Sequence, residues 1–177
     1  MNELSADLVA RLKGVRLFLC DVDGILTDTS VIMGGEAELK RFNIQDGLGL
    51  RLLQREGIKV GWVSNRPSNA TTMRAKDLKI DFLHQMDGNK VLACEKIMSE
   101  VGVSWRDTLY MGDDIVDLGA LKRAGLAVTV PHALPEAQEL SHYVTEAPGG
   151  DGAVREVVEM ILKAQGKWEG LVRHFTQ

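Results

Sequence analysis

The stretch RLFLCDVDGILTD (residues 16–28) combines a short apolar run with the three aspartates that follow it. Its first five residues predict a buried β-strand that ends immediately before Asp21. Three more apolar runs predict strands of the same kind, at residues 59–64, 108–111 and 126–130. Continuous apolar strands separated by helical segments are typical of a parallel sheet covered on both faces. The sequence therefore predicts a doubly wound, Rossmann-like α/β fold, whose ligands bind beyond the carboxyl ends of the strands.

The segments around these strands predict a single domain over residues 1–177 with three additions. An amphipathic helix is predicted at residues 1–14, and a C-terminal helix and tail at residues 148–177. A β-hairpin flap is predicted at residues 29–42, where two extended runs flank a pair of glycines. Apolar residues at helical spacing predict the buried helix faces, namely Leu48, Leu52 and Leu53 on one helix and Leu92, Ile97 and Met98 on another.

The composition indicates a soluble globular protein without a nucleic-acid or membrane partner. The net charge is -4, so no basic field attracts nucleic acid. No apolar run approaches the ~20 residues that span a bilayer, and the charged N-terminal helix lacks the apolar region of a signal peptide. Cys20 and Cys94 lie in apolar stretches and are expected to be reduced and buried. We therefore predict a cytoplasmic location.

Polar residues cluster where the predicted strands end. Asp21 and Asp23 follow the first strand, Ser64 ends the second, Lys90 opens a helix, and Asp113 follows the third. The carboxyl ends of parallel strands meet at one edge of the sheet, so these side chains are expected to converge. Three carboxylates this close repel one another unless a cation lies among them. Oxygen ligands suit Mg²⁺, which is the predicted cofactor and is commonly shared with a substrate phosphate.

This set of residues predicts phosphoryl transfer. One carboxylate of the Asp21 and Asp23 pair can attack phosphorus, and the other can move the proton of the leaving oxygen. Ser64 and Lys90 can hold the phosphoryl oxygens. An acidic pair or a GDD triplet alone is common on protein surfaces, so the prediction depends on the complete set in this order.

Four motifs resemble those of the haloacid dehalogenase superfamily of phosphohydrolases. They are DVDG (residues 21–24), Ser64, Lys90 and GDDIVD (residues 112–117). By this resemblance Ser64 and Lys90 bind the transferring phosphoryl group. Most members carry a cap domain before the second or third motif. Here the first interval holds only the hairpin and a helix, and the second a helix and a short strand. The resemblance thus implies a capless enzyme, whose site a neighbouring subunit would close.

The superfamily resemblance also implies a role for each aspartate. Asp21 is the implied nucleophile. Asp23 is the implied acid/base and also gives its backbone carbonyl to Mg²⁺. Asp113 is the implied third protein ligand of the metal. Asp114 or Asp117 is implied to contact the metal ligands without binding the metal itself.

Two longer segments resemble the 3-deoxy-D-manno-octulosonate 8-phosphate phosphatases of that superfamily. They are ELKRFNIQDGLGLRLL (residues 38–53) and GGDGAVREVVEMILKAQGKW (residues 149–168). The resemblance implies a homotetramer in which the hairpins associate and the tail of one subunit reaches the site of its neighbour. We therefore expect truncation after Pro148 to lower turnover without unfolding the core.

The same resemblance implies a phosphorylated 3-deoxy-2-keto sugar acid as the substrate. Arginine suits both its carboxylate and its phosphate. Arg66 is expected on the same helix as Arg74, two turns before it. The implied substrate contacts are Asn43, Ile44, Gln45, Asp46, Gly47, Arg51, Arg66, Arg74 and Lys90.

Three departures from the family pattern bear on the substrate. The triplet Ser64-Asn65-Arg66 stands where Thr-Gly-Arg is usual, and Gln45 and Asp151 each replace a common arginine. Fewer cations would weaken the affinity for a doubly anionic substrate or change the preferred sugar.

Other functions remain open at this point. One is a 2-keto-3-deoxynononate 9-phosphate phosphatase, although that similar family carries Glu where this chain has Arg66. Another is a phosphatase of a different small sugar phosphate. A third is a non-catalytic tetramerisation domain like those appended to sugar-nucleotide synthetases, which the complete aspartate and lysine set disfavours. A signalling receiver domain would place its acidic residues in the opposite order, and a phosphomutase would need a cap.

Overall fold

The computed structural model describes residues 4–35 and 37–177, so predictions that fall on residues 1–3 and 36 lie outside the described residues. The strands are β1 (Leu17–Cys20), β2 (Ile32–Gly34), β3 (Ala37–Leu39), β4 (Lys59–Ser64), β5 (Phe82–Gln85), β6 (Thr108–Met111), β7 (Leu126–Thr129) and β8 (Tyr143–Val144). The helices are α1 (Ala6–Gly14), α2 (Ile44–Arg55), α3 (Asn69–Asp77), α4 (Lys90–Val101), α5 (Leu118–Leu121), α6 (Pro135–Leu140), α7 (Ala153–Ala164) and α8 (Trp168–Phe175).

Six of the described strands form a parallel sheet in the order β5-β4-β1-β6-β7-β8. β1 is central and pairs with β4 on one side and β6 on the other, so that Cys20 lies level with Trp62 and Met111. The chain leaves β1 first toward one edge and later toward the other. Such a change of direction opens a crevice at the carboxyl ends of the central strands. The predicted doubly wound α/β fold is confirmed.

Three of the inner strands are buried over their full length. Every residue of β1, β6 and β7 is buried, because α2 and α7 form a layer on one face and α4 and α5 pack together on the other. β4 and β6 have the predicted bounds, whereas β1 begins one residue later and β7 ends one residue earlier than predicted. β5 is the expected short strand before Lys90. β8 is not predicted, because two residues give no periodicity.

The helix faces are only partly those predicted. Leu52 and Leu53 of α2 are buried, but Leu48 is 48% exposed and Leu50 takes its place in the core. On α4, Ile97 and Met98 are buried, whereas Leu92 is 64% exposed. Within the described ranges, no helix has the length and apolar character to cross a bilayer.

The hairpin lies where the flap is predicted but is shorter. β2 and β3 pair antiparallel, with Ile32 opposite Leu39, and form a sheet separate from the main one. Among the described residues, only this hairpin and α2 stand between β1 and β4, and only α3 and β5 between β4 and α4. This part of the chain therefore contains no cap domain.

The C-terminal segment is part of the folded body. α7 buries one face in the core and contributes Ala153, Val154, Val157, Val158, Ile161 and Leu162. α8 turns back on the chain, where Leu171 is buried and Lys167 Nζ donates to the Glu56 carbonyl over 2.9 Å. The expectation that truncation after Pro148 leaves the core folded is wrong, because it would remove the α7 face that covers α2.

Candidate active site

Asp21 lies in the crevice at the carboxyl end of β1. Its backbone N–H donates to the Met111 carbonyl over 2.9 Å, which extends the β1–β6 ladder by one residue. The carboxylate is buried, with Oδ1 accepting the Val22 N–H at 2.7 Å and Oδ2 lying 2.9 Å from Lys90 Nζ. Asp21 is thus held by backbone on one side and by a cation on the other.

The turn after Asp21 requires a glycine. Gly24 has a φ of 92°, and a Cβ at this position would overlap the Asp113 carboxylate. Asp113 follows β6 and is buried. Its Oδ1 is enclosed and has no hydrogen-bond partner among the described residues. A buried carboxylate oxygen without a donor is unfavourable unless something else satisfies it.

Asp117 holds the strand-end residues together. Its Oδ1 accepts from Lys90 Nζ at 2.7 Å and from the Tyr110 hydroxyl at 2.6 Å. Its Oδ2 accepts the backbone N–H groups of Asp113 and Asp114 at 3.1 and 3.2 Å. Both oxygens are therefore engaged by protein donors, and the role of Asp117 in supporting the metal ligands stays a prediction. Asp114 instead accepts from its neighbour's N–H and caps the short 3₁₀ turn that follows.

The charges in this strand-end cluster, defined as Asp21, Lys90, Asp113 and Asp117, are unbalanced. Burial and the charge of Asp117 raise the pKa of Asp21 to about 7, although Lys90 opposes the change. Burial, Asp117 and Asp21 likewise raise the pKa of Asp113 to about 7. Burial alone would lower the pKa of Lys90, but Asp117 and Asp21 outweigh it and raise that pKa above its usual value.

The oxygens of this cluster fit a divalent cation. One carboxylate oxygen each of Asp21, Asp113 and Asp117 lie within 4.8 Å of one another. Asp117 already accepts four hydrogen bonds, so Asp21 and Asp113 are the carboxylates available to a metal. An oxygen-only donor set with excess negative charge suits Mg²⁺. The Asp23 side chain is not part of this group, so any contribution from Asp23 stays the predicted one of its backbone carbonyl.

The Asp23 carboxylate faces the hairpin instead. Lys40 Nζ forms an ion pair with Asp23 Oδ1 at 2.7 Å, without hydrogen-bond geometry. Arg66 Nε approaches Asp23 Oδ2 at 3.4 Å. The hairpin thus contributes a cation that the sequence reasoning did not identify. The sequence feature that could have identified this cation is the spacing of Glu38 and Lys40, which places both side chains on one side of an extended segment.

Arg66 lies beside Ser64, but the boundary of the following helix differs from the prediction. Ser64 is buried, and its Oγ accepts the Arg66 N–H at 3.1 Å. α3 begins only at Asn69, after the N-cap Ser68, so Arg66 precedes the helix that carries Arg74. The expectation of a shared helix is wrong. Pro67 explains the difference, because the residue before a proline is disfavoured in helical geometry.

The predicted substrate residues of α2 have local partners in this structure. Asn43 caps α2 by accepting the N–H groups of Gln45 and Asp46, while Ile44 is exposed. Asp46 is buried and accepts the N–H groups of Gly152 and Arg155 at 3.3 and 2.8 Å, so it caps α7. Its role as a substrate contact stays a prediction that this geometry does not favour.

Gly47, Arg51 and Arg74 have their partners on α3 or at its end. A Cβ on Gly47 would overlap the Arg74 guanidinium, which pairs with Asp77 at 2.7 Å. Arg51 donates to the Leu78 carbonyl at 3.2 Å, at the end of α3. Their predicted contacts with substrate stay predictions, and the resemblance that implies them also implies sites completed by a neighbouring subunit.

The glycine-rich segment before α7 packs against the catalytic turn. A Cβ on Gly149 would overlap the Gly24 carbonyl, and one on Gly150 would overlap Thr27. The Gly150 N–H donates to the Ile25 carbonyl at 2.9 Å. These glycines allow the C-terminal segment to support the loop that follows Asp21.

Comparisons with known proteins bear on this site. Residues 63–157 match the family described as haloacid dehalogenase-like hydrolase. The chain is 38% identical over 165 residues to the 3-deoxy-D-manno-octulosonate 8-phosphate phosphatase of Yersinia pestis, which covers 93% of this chain and 88% of that protein. The enzyme of the same name from Escherichia coli K12 is 37% identical, with the same coverage.

A solved structure extends the similarity to three dimensions. The 3-deoxy-D-manno-octulosonate 8-phosphate phosphatase of Moraxella catarrhalis, solved with magnesium, phosphate and the sugar acid KDO, matches with a TM-score of 0.94 and 37% identity. The match covers 97% of this chain and 99% of that one. The backbone that carries the strand-end cluster is therefore shared with a protein known to hold a metal and a phosphate.

Proposed function

Because this chain belongs to the haloacid dehalogenase-like hydrolases, and within them to the 3-deoxy-D-manno-octulosonate 8-phosphate phosphatase family, we propose that it is a Mg²⁺-dependent phosphatase of that sugar acid phosphate. The observation that carries the proposal is the strand-end cluster itself. Lys90 pairs with Asp21 at 2.9 Å, beside an Asp113 oxygen that is buried without a partner in the described part of the chain. That arrangement supplies a nucleophile, a phosphoryl-binding cation and a metal ligand in one crevice.

The first chemical step transfers the phosphoryl group to Asp21. A carboxylate oxygen of Asp21 forms a bond to phosphorus as the bond to the sugar oxygen breaks, which gives an aspartyl phosphate. Asp23 donates its proton to the leaving sugar oxygen. Lys90 and the Ser64 hydroxyl hold the phosphoryl oxygens and stabilise the charge that develops on them.

The second step releases phosphate. Asp23, now ionised, takes a proton from a water molecule, which attacks phosphorus and breaks its bond to Asp21. The Asp21 carboxylate and the protonated Asp23 are then restored. Mg²⁺ held by Asp21, Asp113 and the backbone carbonyl of Asp23 would neutralise negative charge on the phosphoryl group in both steps. Asp117 keeps Lys90 in place throughout.

Arg66 supports a substrate that also carries a carboxylate. Its guanidinium lies beside Asp23, and its Nη2 is buried without a hydrogen-bond partner among the described residues. A planar guanidinium with an unpaired donor, on a side chain that is 42% exposed, is suited to a carboxylate. The octulosonate 8-phosphate is therefore preferred over sugar phosphates that lack the acid group. It is preferred over the nononate 9-phosphate because the phosphatases of that substrate carry Glu where this chain has Arg66.

The central test is phosphate release from both sugar acid phosphates, with and without Mg²⁺. Asp21→Asn is expected to abolish turnover, because the amide cannot attack phosphorus. Asp7→Asn is the matched control, since the Asp7 side chain is 72% exposed on α1 and pairs with Arg11 of the same helix. Circular dichroism should show both variants folded. Equal activity of Asp21→Asn and the control would reject the mechanism, and no turnover by the unaltered chain would favour a non-catalytic tetramerisation domain.

We also propose that the enzyme is a homotetramer with the C-terminal tail of one subunit near its neighbour's site, and that it is cytoplasmic. Exposed apolar side chains on the hairpin support association there, with Ile32 and Met33 56% and 74% exposed. Two free, buried cysteines suit a reducing compartment. Light scattering of Met33→Glu should show smaller assemblies than the unaltered chain. An unchanged mass would reject the hairpin as the interface.

A further inference from the structure

The hairpin places a carboxylate directly on the arginine that faces the site. Glu38 lies in β3, and one of its oxygens accepts from Arg66 Nη1. The other accepts from the Ser68 hydroxyl at 2.6 Å. Ser68 is itself fixed, because its Oγ caps α3 by accepting the Thr71 N–H at 3.3 Å. Glu38 therefore links the Arg66 guanidinium to the rigid start of α3.

Lys40 fixes the same part of the hairpin from the other side. Its side chain has no exposed surface, and its Nζ lies 2.7 Å from Asp23 Oδ1 and 3.2 Å from Thr71 Oγ1. The Nζ is also 3.9 Å from Glu38 Oε1. A buried ammonium is tolerated only with such partners. Lys40 thus ties the base of the hairpin to the catalytic turn and to α3, which limits the movement of Glu38.

The three guanidinium nitrogens of Arg66 have different surroundings. Nε faces Asp23 at 3.4 Å, and Nη1 donates to Glu38. Nη2 is enclosed and has no hydrogen-bond partner within the described ranges. Two nitrogens are therefore held by protein, the third is unpaired in the described part of the chain, and 42% of the side chain remains exposed for a ligand. Arg66 lies in a bend outside any helix, so its own backbone does not fix the orientation of its side chain.

We infer that Glu38 is a positioning residue for substrate specificity, which holds the partly exposed guanidinium of Arg66 where it meets the carboxylate of the sugar acid. The inference rests on the proposed function, since it concerns the same substrate. Glu38 does not touch the reacting atoms; it acts through Arg66. The hairpin therefore shapes the site of its own subunit, in addition to any contact it makes with another.

The role of Glu38 predicts an effect on affinity that depends on the substrate carboxylate. In Glu38→Ala the guanidinium loses a charged hydrogen bond and its fixed orientation. The KM for octulosonate 8-phosphate is expected to rise about tenfold, the usual scale for a hydrogen bond to a charged group, with kcat nearly unchanged. The inhibition constant of inorganic phosphate, which has no carboxylate, should stay within about twofold of the original value.

Two further variants separate positioning from general damage. Glu38→Gln keeps an acceptor for Arg66 Nη1 and should recover most of the lost affinity. Glu139→Ala removes an exposed glutamate on α6 and should leave both constants unchanged. Light scattering and thermal unfolding should show that each variant has the same assembly state and stability as the unaltered chain. Equal weakening of substrate and phosphate in Glu38→Ala, no change in either, or a Glu38→Gln as poor as Glu38→Ala would overturn the inference. No turnover by the unaltered chain would instead reject the proposed function and the inference with it.

Discussion

Two charged clusters meet at the crevice, and their charge balance differs. The strand-end cluster places three carboxylates around one ammonium, that of Lys90. The hairpin cluster, defined as Asp23, Glu38, Lys40 and Arg66, places two carboxylates against two cations. In the first, burial and neighbouring charge raise the pKa of Asp21 to about 7. In the second, the hydrogen bonds from Arg66 and Ser68 lower the pKa of Glu38 below its usual value.

The difference indicates a division of labour. A cluster with an excess of carboxylates over cations is unfavourable alone. A divalent cation can balance its charge, and its charged groups are suited to catalysis. A balanced cluster needs no added cation and orients what it contains. The buried strand ends, together with the Asp23 carboxyl group, therefore carry the reaction, whereas Glu38 and Lys40 of the hairpin direct Arg66 toward the remainder of the substrate. Changes in the first cluster or in Asp23 should lower kcat, and changes in Glu38, Lys40 or Arg66 should raise KM.

Loss of the ammonium from the strand-end cluster should have the largest effect. Lys90→Met removes the cation between Asp21 and Asp117 while keeping the buried volume close to the original. The kcat is expected to fall by about a thousandfold, because a preorganised donor to the phosphoryl oxygens is lost. Phosphate release at saturating substrate measures the effect. Lys96→Met, on the exposed face of the same helix, is the control and should retain full activity. A loss expressed only in KM would contradict the division.

A methyl group at the turn after Asp21 should have the next largest effect. In Gly24→Ala the Cβ would overlap the Asp113 carboxylate, and the φ of 92° is strained for alanine. We expect about 2 kcal/mol of destabilisation from the strained backbone and roughly a hundredfold lower kcat from displacement of Asp113. Gly14→Ala is the control, since no atom lies within 4 Å of its added Cβ. Denaturant unfolding and turnover of the two variants should differ accordingly, and equal behaviour would show that the turn is not constrained.

The strand ends could be predicted from the sequence because several signals agree there. A buried parallel strand gives a continuous apolar run, and the position after it faces the crevice whatever the rest of the fold does. The structure accordingly brings Asp21, Asp113 and Lys90 together, while their catalytic roles stay predictions. Leu48 and Leu92 are exposed where buried faces were expected, because helical spacing alone does not decide which of several apolar residues turns inward.

The hairpin cluster could not be predicted in the same way. The sequence indicates a hairpin, but the direction in which it leans depends on tertiary contacts such as that of Lys40 with Asp23. Asp46 is a similar case, since it caps a helix that begins more than 100 residues later in the chain. The start of α3 was predictable in principle, because Pro67 and the N-cap Ser68 both mark it.

Protons should compete with Mg²⁺ in the strand-end cluster. Without metal, the pKa values of Asp21 and Asp113 are raised to about 7 from 3.8. Their contribution to the stability of the metal-free protein is thus full below the unfolded pKa and is lost as the pH rises through 7. Mg²⁺ should bind at least about tenfold more weakly at pH 6 than at pH 8, because protonated carboxyl groups must first lose their protons.

Calorimetric titration with Mg²⁺ at the two pH values measures this difference. The rise in melting temperature on adding Mg²⁺ should likewise be larger at pH 8. Asp113→Asn removes one titrating ligand and should flatten the pH dependence as it weakens binding. Glu38→Gln, in the balanced cluster, should bind Mg²⁺ as the unaltered protein does. Equal affinity at pH 6 and pH 8 would show that the strand-end carboxylates are ionised even without the metal.

The smallest expected effect tests how Lys90 is held. Tyr110 donates to Asp117 Oδ1 at 2.6 Å, and that oxygen also accepts from Lys90. Tyr110→Phe removes one donor, so we expect about 1 kcal/mol of destabilisation and a severalfold lower kcat at unchanged KM. Tyr143→Phe is the matched control, because its hydroxyl donates to Glu156 at 2.7 Å at the edge of the sheet. The control should lose similar stability but no activity. If both variants lost activity in proportion to stability, Tyr110 would support the fold and not the position of Lys90. If only Tyr110→Phe lowered kcat, the uncharged Tyr110 would belong to the strand-end cluster and would help to position Lys90.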